Sequence, residues 1–279
     1  GRHLQYVSGR KIKDELQSNQ AKEAIPLAIC LADLHLTLIP PVGKSEKSWR
    51  NHMGYTLGQI EKLVKLPDQI SKLPILCSGD ILNGESIELI NFALEYLPMM
   101  HVVYGATDLG IYSPKEIEKT VFWNLVLSGR ILFLKSGKPS EIISRGYPIR
   151  LHGFPYGFPI QPLSNPNDLL LEVAIVHDYV WPKGERLLGD RDESSLKNKK
   201  SSFFGYDVII LGGNHKPFSI RSGGKGFPSV FNCGSLFPES SQEKSSTSSV
   251  GILYSDGSII RSYLGQDKLL GNETKKKVK

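Results

Sequence analysis

The chain has 279 residues, 40% of them hydrophobic, and 34 Lys and Arg against 28 Asp and Glu give a net charge of +6 and a pI of about 9.0. That length and apolar content suffice to bury the core of one large α/β domain, and no stretch approaches the ~20 consecutive apolar residues of a membrane-spanning helix. Gly1-Arg2-His3-Leu4 lacks the apolar core of a secretory leader, and Cys30, Cys77 and Cys233 all lie in or beside apolar runs. The expectation is a cytoplasmic protein without a membrane partner, carrying buried free thiols rather than disulfides or a zinc cluster.

Residues 1–22 are polar and irregular and read as a peripheral segment, with a short strand at Gln5-Tyr6-Val7-Ser8 followed by a helix. One domain is expected over 23–265, and 266–279, which ends Lys275-Lys276-Lys277-Val278-Lys279, reads as a disordered basic tail. The first strand, about Pro26 to Ala32, runs into Asp33-Leu34-His35. A strand places residues i and i+2 on one face, so Asp33 and His35 can meet at one point past its carboxyl end, which is a metal-ligand spacing. Pro40-Pro41 and Gly43 mark a loop over that pair, and Met53, Leu57, Ile60 and Val64 predict an amphipathic helix from Trp49 to Leu66. A second strand, Ile75 to Ser78, delivers Gly79-Asp80-Ile81-Leu82-Asn83, where Gly79 allows the turn that aims Asp80 at the first pair.

A helix capped by Ser86 extends to Tyr96, the strand His101-Val102-Val103-Tyr104 ends in Gly105-Ala106-Thr107-Asp108, and a helix starts with Pro114 and runs to Leu127. From Gly129 onward the strands are short and separated by turn residues, which predicts a second, largely antiparallel sheet. Gly153 to Pro166 is an aromatic loop with Phe154, Tyr156 and Phe158. Two later strands end at His177-Asp178 and at Gly212-Gly213-Asn214-His215, and the chain closes on a hairpin turned by Asp256-Gly257. Lys197, Lys199 and Lys200 follow a charged loop from Lys183 to Glu193. Together with the net charge they fit a polyanionic partner, although a solvated face explains each lysine singly.

Collected in order, the strand-end residues are Asp33-x-His35, Gly79-Asp80-x-x-Asn83, Gly105-x-x-Asp108, His177 and Asn214-His215, with Asn232-x-Gly234-Ser235 after them. This series resembles the calcineurin-like metallophosphoesterase family, and five motifs in order are far more specific than any one. Pro40-Pro41, Glu88-Leu89-Ile90-Asn91-Phe92-Ala93-Leu94, Asn214-His215-Lys216 and Phe231-Asn232-Cys233-Gly234-Ser235-Leu236 extend the likeness to phage and bacterial proteins related to the nuclease subunit of double-strand-break repair complexes.

The resemblance implies a four-layer α/β/β/α sandwich of two mixed sheets with ions at the carboxyl ends of the central strands. It implies a metal-dependent phosphodiesterase, a DNA exo- or endonuclease of phage or bacterial type. It makes Asp33, His35 and His215 ligands of one divalent ion, with Asp80 bridging to a second. Mn²⁺ suits the donor set, with Mg²⁺, Fe and Zn²⁺ as alternatives. DNA is the implied partner, and a homodimer and an ATPase partner follow by analogy.

Where the family has Asn and His, this chain has Ala106 and Thr107: a methyl group cannot coordinate a cation, and a hydroxyl cannot act as an imidazolium acid. Asp108, the family's orienting carboxylate, keeps its place beside the missing imidazole. Gly213 stands at a further His position, which leaves Asp80 and His177, helped by Asn214, for the second ion. The expectation is therefore an intact first site, a depleted second one, and weak or absent hydrolysis. Asn83 and His152 are candidate substrate contacts, with loop stabilisation and a hydrogen-bonded strand end as the structural readings of the same residues. Two functional alternatives remain: a small-molecule nucleotide phosphoesterase, and a pseudoenzyme serving as a nucleic-acid or protein-binding module.

Overall fold

A computed structural model describes residues 24–65, 72–182, 194–221, 227–237 and 248–264. The peripheral segment expected over 1–22, the charged loop at 183–193 and the basic tail lie outside the described residues.

Two six-stranded sheets pack face to face. In the first, β1 (Pro26–Leu31), β2 (Ile75–Cys77), β3 (Met100–Val102) and β4 (Ile131–Phe133) run parallel, and the hairpin β11 (Ser249–Tyr254) and β12 (Ile259–Tyr263) adds antiparallel on the β1 side. In the second, β6 (Tyr147–Phe154), β7 (Leu171–His177), β8 (Val208–Gly212) and β10 (Ser229–Asn232) run parallel. Antiparallel strands β5 (Ser140–Ser144) and β9 (Phe218–Ile220) close its two edges. Both sheets are mixed, as expected, but the second is parallel at its centre rather than largely antiparallel. Within it, consecutive strands pair antiparallel only at the two edges, β5 with β6 and β9 with β10. The long segments 155–170 and 178–207 are crossovers, which return the chain to the same end and so pair its strands in parallel.

Alternation along the strands sorts the layers. On β7, Val173 and Ile175 join Ala28, Cys30, Leu76 and Val103 between the sheets, while Ala174 and Val176 face outward against Phe203 and Leu196. Outside the first sheet, Ile29, Leu31 and Ile75 pack against α1 (Glu46–Val64), α2 (Ile87–Tyr96) and α4 (Val121–Leu127). Trp49, Met53, Leu57, Ile60 and Val64 form the buried stripe of α1, and Ser45 and Ser86 cap α1 and α2 with their side chains. The helix expected from Pro114 to Leu127 is two pieces, a 3-10 turn over Pro114–Lys119 and α4, because Thr120 adopts an extended conformation and caps α4 through its hydroxyl. All three cysteines are buried and free.

Candidate metal centre

The strands of both sheets deliver their carboxyl ends to one place. Past β1, the chain keeps pairing with the segment after β2: the Asp33 amide donates to the Gly79 carbonyl at 3.0 Å, His35 to Asp80 at 2.9 Å and Leu36 to Ile81 at 2.8 Å. Leu34 and Leu36 are buried in the core under the helices, which leaves Asp33 and His35 to the opposite side. This is not an ordinary strand. Asp33, His35 and Asp80 have φ of 50°, 46° and 52°, three of the four non-glycine residues with positive φ among the described residues. Left-handed backbone costs on the order of 1 kcal/mol per residue and clusters where a site needs a particular side-chain aim. Glycines allow the close approach around Asp80. A Cβ on Gly105 would lie 2.0 Å from Asp80 Oδ1, and one on Gly79, itself at φ 89°, would lie 2.6 Å from the Gly105 nitrogen.

From the second sheet come His177 at the end of β7 and the Gly213-Asn214-His215 turn after β8. Ligand atoms of Asp33, His35, Asp80 and His215 all lie within 4.8 Å of one another. Donors about 2.1 Å from a common ion stand roughly 3 to 4.2 Å apart, so the group is ready for one cation with little movement. The Nε2 atoms of His35 and His215 face each other at 3.1 Å, and His35 Nε2 lies 3.8 Å from Asp80 Oδ2. Two imidazole lone pairs at that separation repel unless a proton or a cation lies between them.

Asp33 is fully buried, and the Gly213 amide donates to both of its oxygens, at 2.9 and 3.1 Å. Burial pushes its carboxyl above the ordinary value, with His177 and Gly213 pulling less strongly the other way. Burial acts on Asp80 too, but His177, His35 and the Thr107 amide outweigh it and hold Asp80 below the usual carboxylate range. His177 Nδ1 donates to the Ser78 carbonyl at 2.6 Å, which can only accept, so Nε2 is presented to Asp80 Oδ2 at 3.4 Å. Burial lowers the His177 pKa, and the Asp80 carboxylate more than reverses this, raising it to about 9. Two buried carboxylates within 4.8 Å demand positive charge. A dication on two carboxylates and two imidazoles supplies it, and the donor set fits Mn²⁺, Fe or Zn²⁺ better than an all-oxygen cage ion.

The residues expected to serve a second ion or the reaction are differently employed. Thr107 donates both its amide, at 2.9 Å, and its hydroxyl, at 3.0 Å, to Asp80 Oδ1, so one oxygen of the carboxylate expected to bridge already holds two hydrogen bonds. Asn214 is spent on backbone: its amide donates to Val180 O at 2.7 Å and its Oδ1 accepts from Lys216 N at 3.0 Å. Ala106 is exposed at the start of α3 (Ala106–Leu109). Asp108 accepts from the amides of Ile81, Leu82 and Gly105 at 2.8 to 3.0 Å. Burial and then the Asp80 charge push its carboxyl up to about 7 against the Gly105 and Leu82 amides and His177. It ties the loop after β3 to the loop after β2, and Asn83 is an exposed residue of the latter.

Of the two readings of His152, substrate contact or hydrogen-bonded strand end, its position fits the second. Gly153 is the residue of β6 that faces the first sheet, so His152 lies on the outer face, bonded to buried Glu172 at 2.7 Å, and is turned away from the metal centre. Sequence reasoning missed that Glu172 also holds Arg150 at 3.1 Å and the Asn167 amide at 3.0 Å. The i, i+2 spacing of Arg150 and His152 was the available sign of a shared partner. It also missed the Gly213 amide and the Ser78 carbonyl, because backbone groups leave no mark on residue type.

Fold and site together make an α/β sandwich with a carboxylate and imidazole cluster at the strand ends that could hold a metal ion. No family model and no curated protein matches the chain. Among solved structures it is similar to the sulfate thiohydrolase SoxB of Thermus thermophilus, with 14% identity and a TM-score of 0.44 over 83% of this chain and 54% of that one. It is also similar to a 5′-nucleotidase precursor from the same organism, with 11% identity and a TM-score of 0.45 over 85% of this chain and 54% of that one. A third is the NAD nucleotidase of Haemophilus influenzae, with 11% identity and a TM-score of 0.47 over 86% and 49%. The chain spans about half the length of each of these proteins. No helix among the described residues is long and apolar enough to cross a membrane.

Proposed function

We propose that this chain is a metal-dependent phosphodiesterase of the calcineurin-like type, acting on DNA, in a form whose centre holds one divalent ion and turns over weakly. The observation that carries the reading is the meeting of Asp33, His35, Asp80 and His215, from three separate strand ends and two sheets, within 4.8 Å. The ordered motifs support the family, and the net charge of +6 supports a polyanionic substrate.

When bound, the ion supplies Lewis-acid polarisation of a phosphoryl group. The chain's own residues do the rest. Gly213 fixes both oxygens of Asp33, Thr107 fixes one oxygen of Asp80 and leaves the other toward the centre, and Ser78 fixes the His177 ring. His177 presents Nε2 to Asp80 Oδ2 at 3.4 Å. With Thr107 where the family has His, no imidazole is supplied from the loop after β3 to protonate the leaving oxygen, and this supports slow turnover.

The test combines metal titration by calorimetry with binding and cleavage of a defined DNA duplex and single strand. The expected result is one Mn²⁺ per chain, DNA binding that weakens with salt through counterion release, and slow cleavage abolished by chelator. Failure to bind any divalent ion would refute the reading. Metal binding with a flat salt response and faster release of phosphate from mononucleotides would move it to a nucleotide phosphoesterase.

A further inference from the structure

The loop after β6 places one aromatic side chain beside the metal centre. Tyr156 follows Phe154 and Pro155, and its amide donates to the Tyr104 carbonyl at 3.0 Å, which pins it to the chain just before Gly105. The Phe158 amide donates to the Pro155 carbonyl at 2.9 Å across a tight turn in which Gly157 takes φ 85°. Tyr156 is thus held on a fixed backbone. Its ring stands edge-on to His177, with centroids 6.2 Å apart and planes at 72°, and 46% of the residue remains exposed. Phe154 and Trp181 are each 8% exposed, and Phe154 belongs to the packing outside the second sheet; Phe158 is 43% exposed, and what sets Tyr156 apart from it is the ring contact with His177. An anchored but half-exposed ring at the rim of a charged site fits a role in ligand contact better than one in the core.

We propose that Tyr156 is a stacking platform for a nucleobase, so that the centre selects phosphoesters carrying a flat heteroaromatic group one sugar away from the phosphate on the ion. The proposal rests on the metal-centred phosphoester reading above. A base has a π-face whatever its sequence, so the ring gives affinity for nucleotides without choosing among bases.

The experiment is calorimetric binding of adenosine 5′-monophosphate and of ribose 5-phosphate to Mn²⁺-loaded protein whose metal content has been measured, for wild type, Tyr156→Ala and Tyr156→Phe. Wild type and Tyr156→Phe should prefer the nucleotide. Tyr156→Ala should bind it about 5- to 100-fold more weakly, the loss expected for one stacked base, with ribose 5-phosphate unchanged. Retention of the preference in Tyr156→Ala, its loss in Tyr156→Phe, or equal Mn²⁺-dependent binding of the two ligands to wild type would each overturn the platform and leave the phosphate site standing. Binding of neither ligand to metal-loaded protein would overturn both.

Discussion

Asp33→Asn should stabilise the protein without metal and abolish its response to metal. Asp33 is fully buried, and its carboxylate stands no more than 4.8 Å from that of Asp80. At an effective dielectric near 20, two like charges at that distance repel by about 3.5 kcal/mol. Burial is the chief reason that the Asp33 carboxyl stays above its ordinary pKa, and His177 and the Gly213 amide each pull it down more than the Asp80 charge pushes it up. Removing the charge should therefore raise stability in the absence of metal, read as a higher unfolding midpoint in chelator. Asn tolerates the left-handed backbone at φ 50°, and its carbonyl can keep one bond from Gly213. In wild type, Mn²⁺ at about 100 times its dissociation constant should add about 2.7 kcal/mol. For a chain of this size that is a rise in Tm of roughly 5 °C. Thermal unfolding of both proteins, each with chelator and with Mn²⁺, gives a midpoint for every combination. The expected order puts the variant above wild type in chelator and below it in Mn²⁺. A variant that melts lower in chelator, or that rises in Mn²⁺ as far as wild type, would show that no unmet negative charge resides here.

Restoring the family residues with Ala106→Asn and Thr107→His should raise diester hydrolysis on the order of 10² to 10³-fold and raise Mn²⁺ from one ion per chain toward two, by elemental analysis. Position 106 is exposed and 107 half-buried, so packing does not oppose the change, and an unchanged rate would count against both assignments. The metal-free protein should lose stability as pH rises from about 6.5 through 9. His177 is raised in the folded state to about 9, so it carries more protons folded than unfolded across that window. The loss is on the order of 3 kcal/mol by urea unfolding and should be absent in His177→Gln. Glu172→Gln should cost about 3 kcal/mol, because it leaves Arg150 and His152 with an incomplete buried partner, while Mn²⁺ stoichiometry stays unchanged. A fall in metal content there would tie the outer face of the second sheet to the centre.

Much of the site is legible in the sequence because side-chain chemistry is written at strand ends. Asp33, His35, Asp80 and His215 declare themselves by residue type and order, and the structure brings their ligand atoms together. Strand alternation is only half the reason, since Asp33 and His35 converge through left-handed backbone. Parallel pairing in the second sheet is not legible, because pairing direction depends on where long crossovers return the chain and not on local pattern. Between the two readings of His152 the sequence does not choose, because strand phase is not legible and one residue of register sends a side chain to the other face. The roles of Gly213, Ser78 and the Asp108 carboxylate are hidden for a different cause, as each depends on backbone donors and acceptors that any residue carries.

The centre straddles the seam of the sandwich. Asp33, His35 and Asp80 belong to one sheet and His177, Gly213 and His215 to the other, while the Ser78 hydroxyl reaches the Ile210 carbonyl across the gap at 3.0 Å. A cation seated there would clasp the two halves like a rivet at one rim, while the far rim relies on apolar packing and the bond from the Ser144 hydroxyl to the Leu27 carbonyl at 2.6 Å. Chelation should then slacken amide protection at Asp33, His35 and Gly213 ahead of the rest of the fold, a gradient that hydrogen exchange can trace from the seam inward.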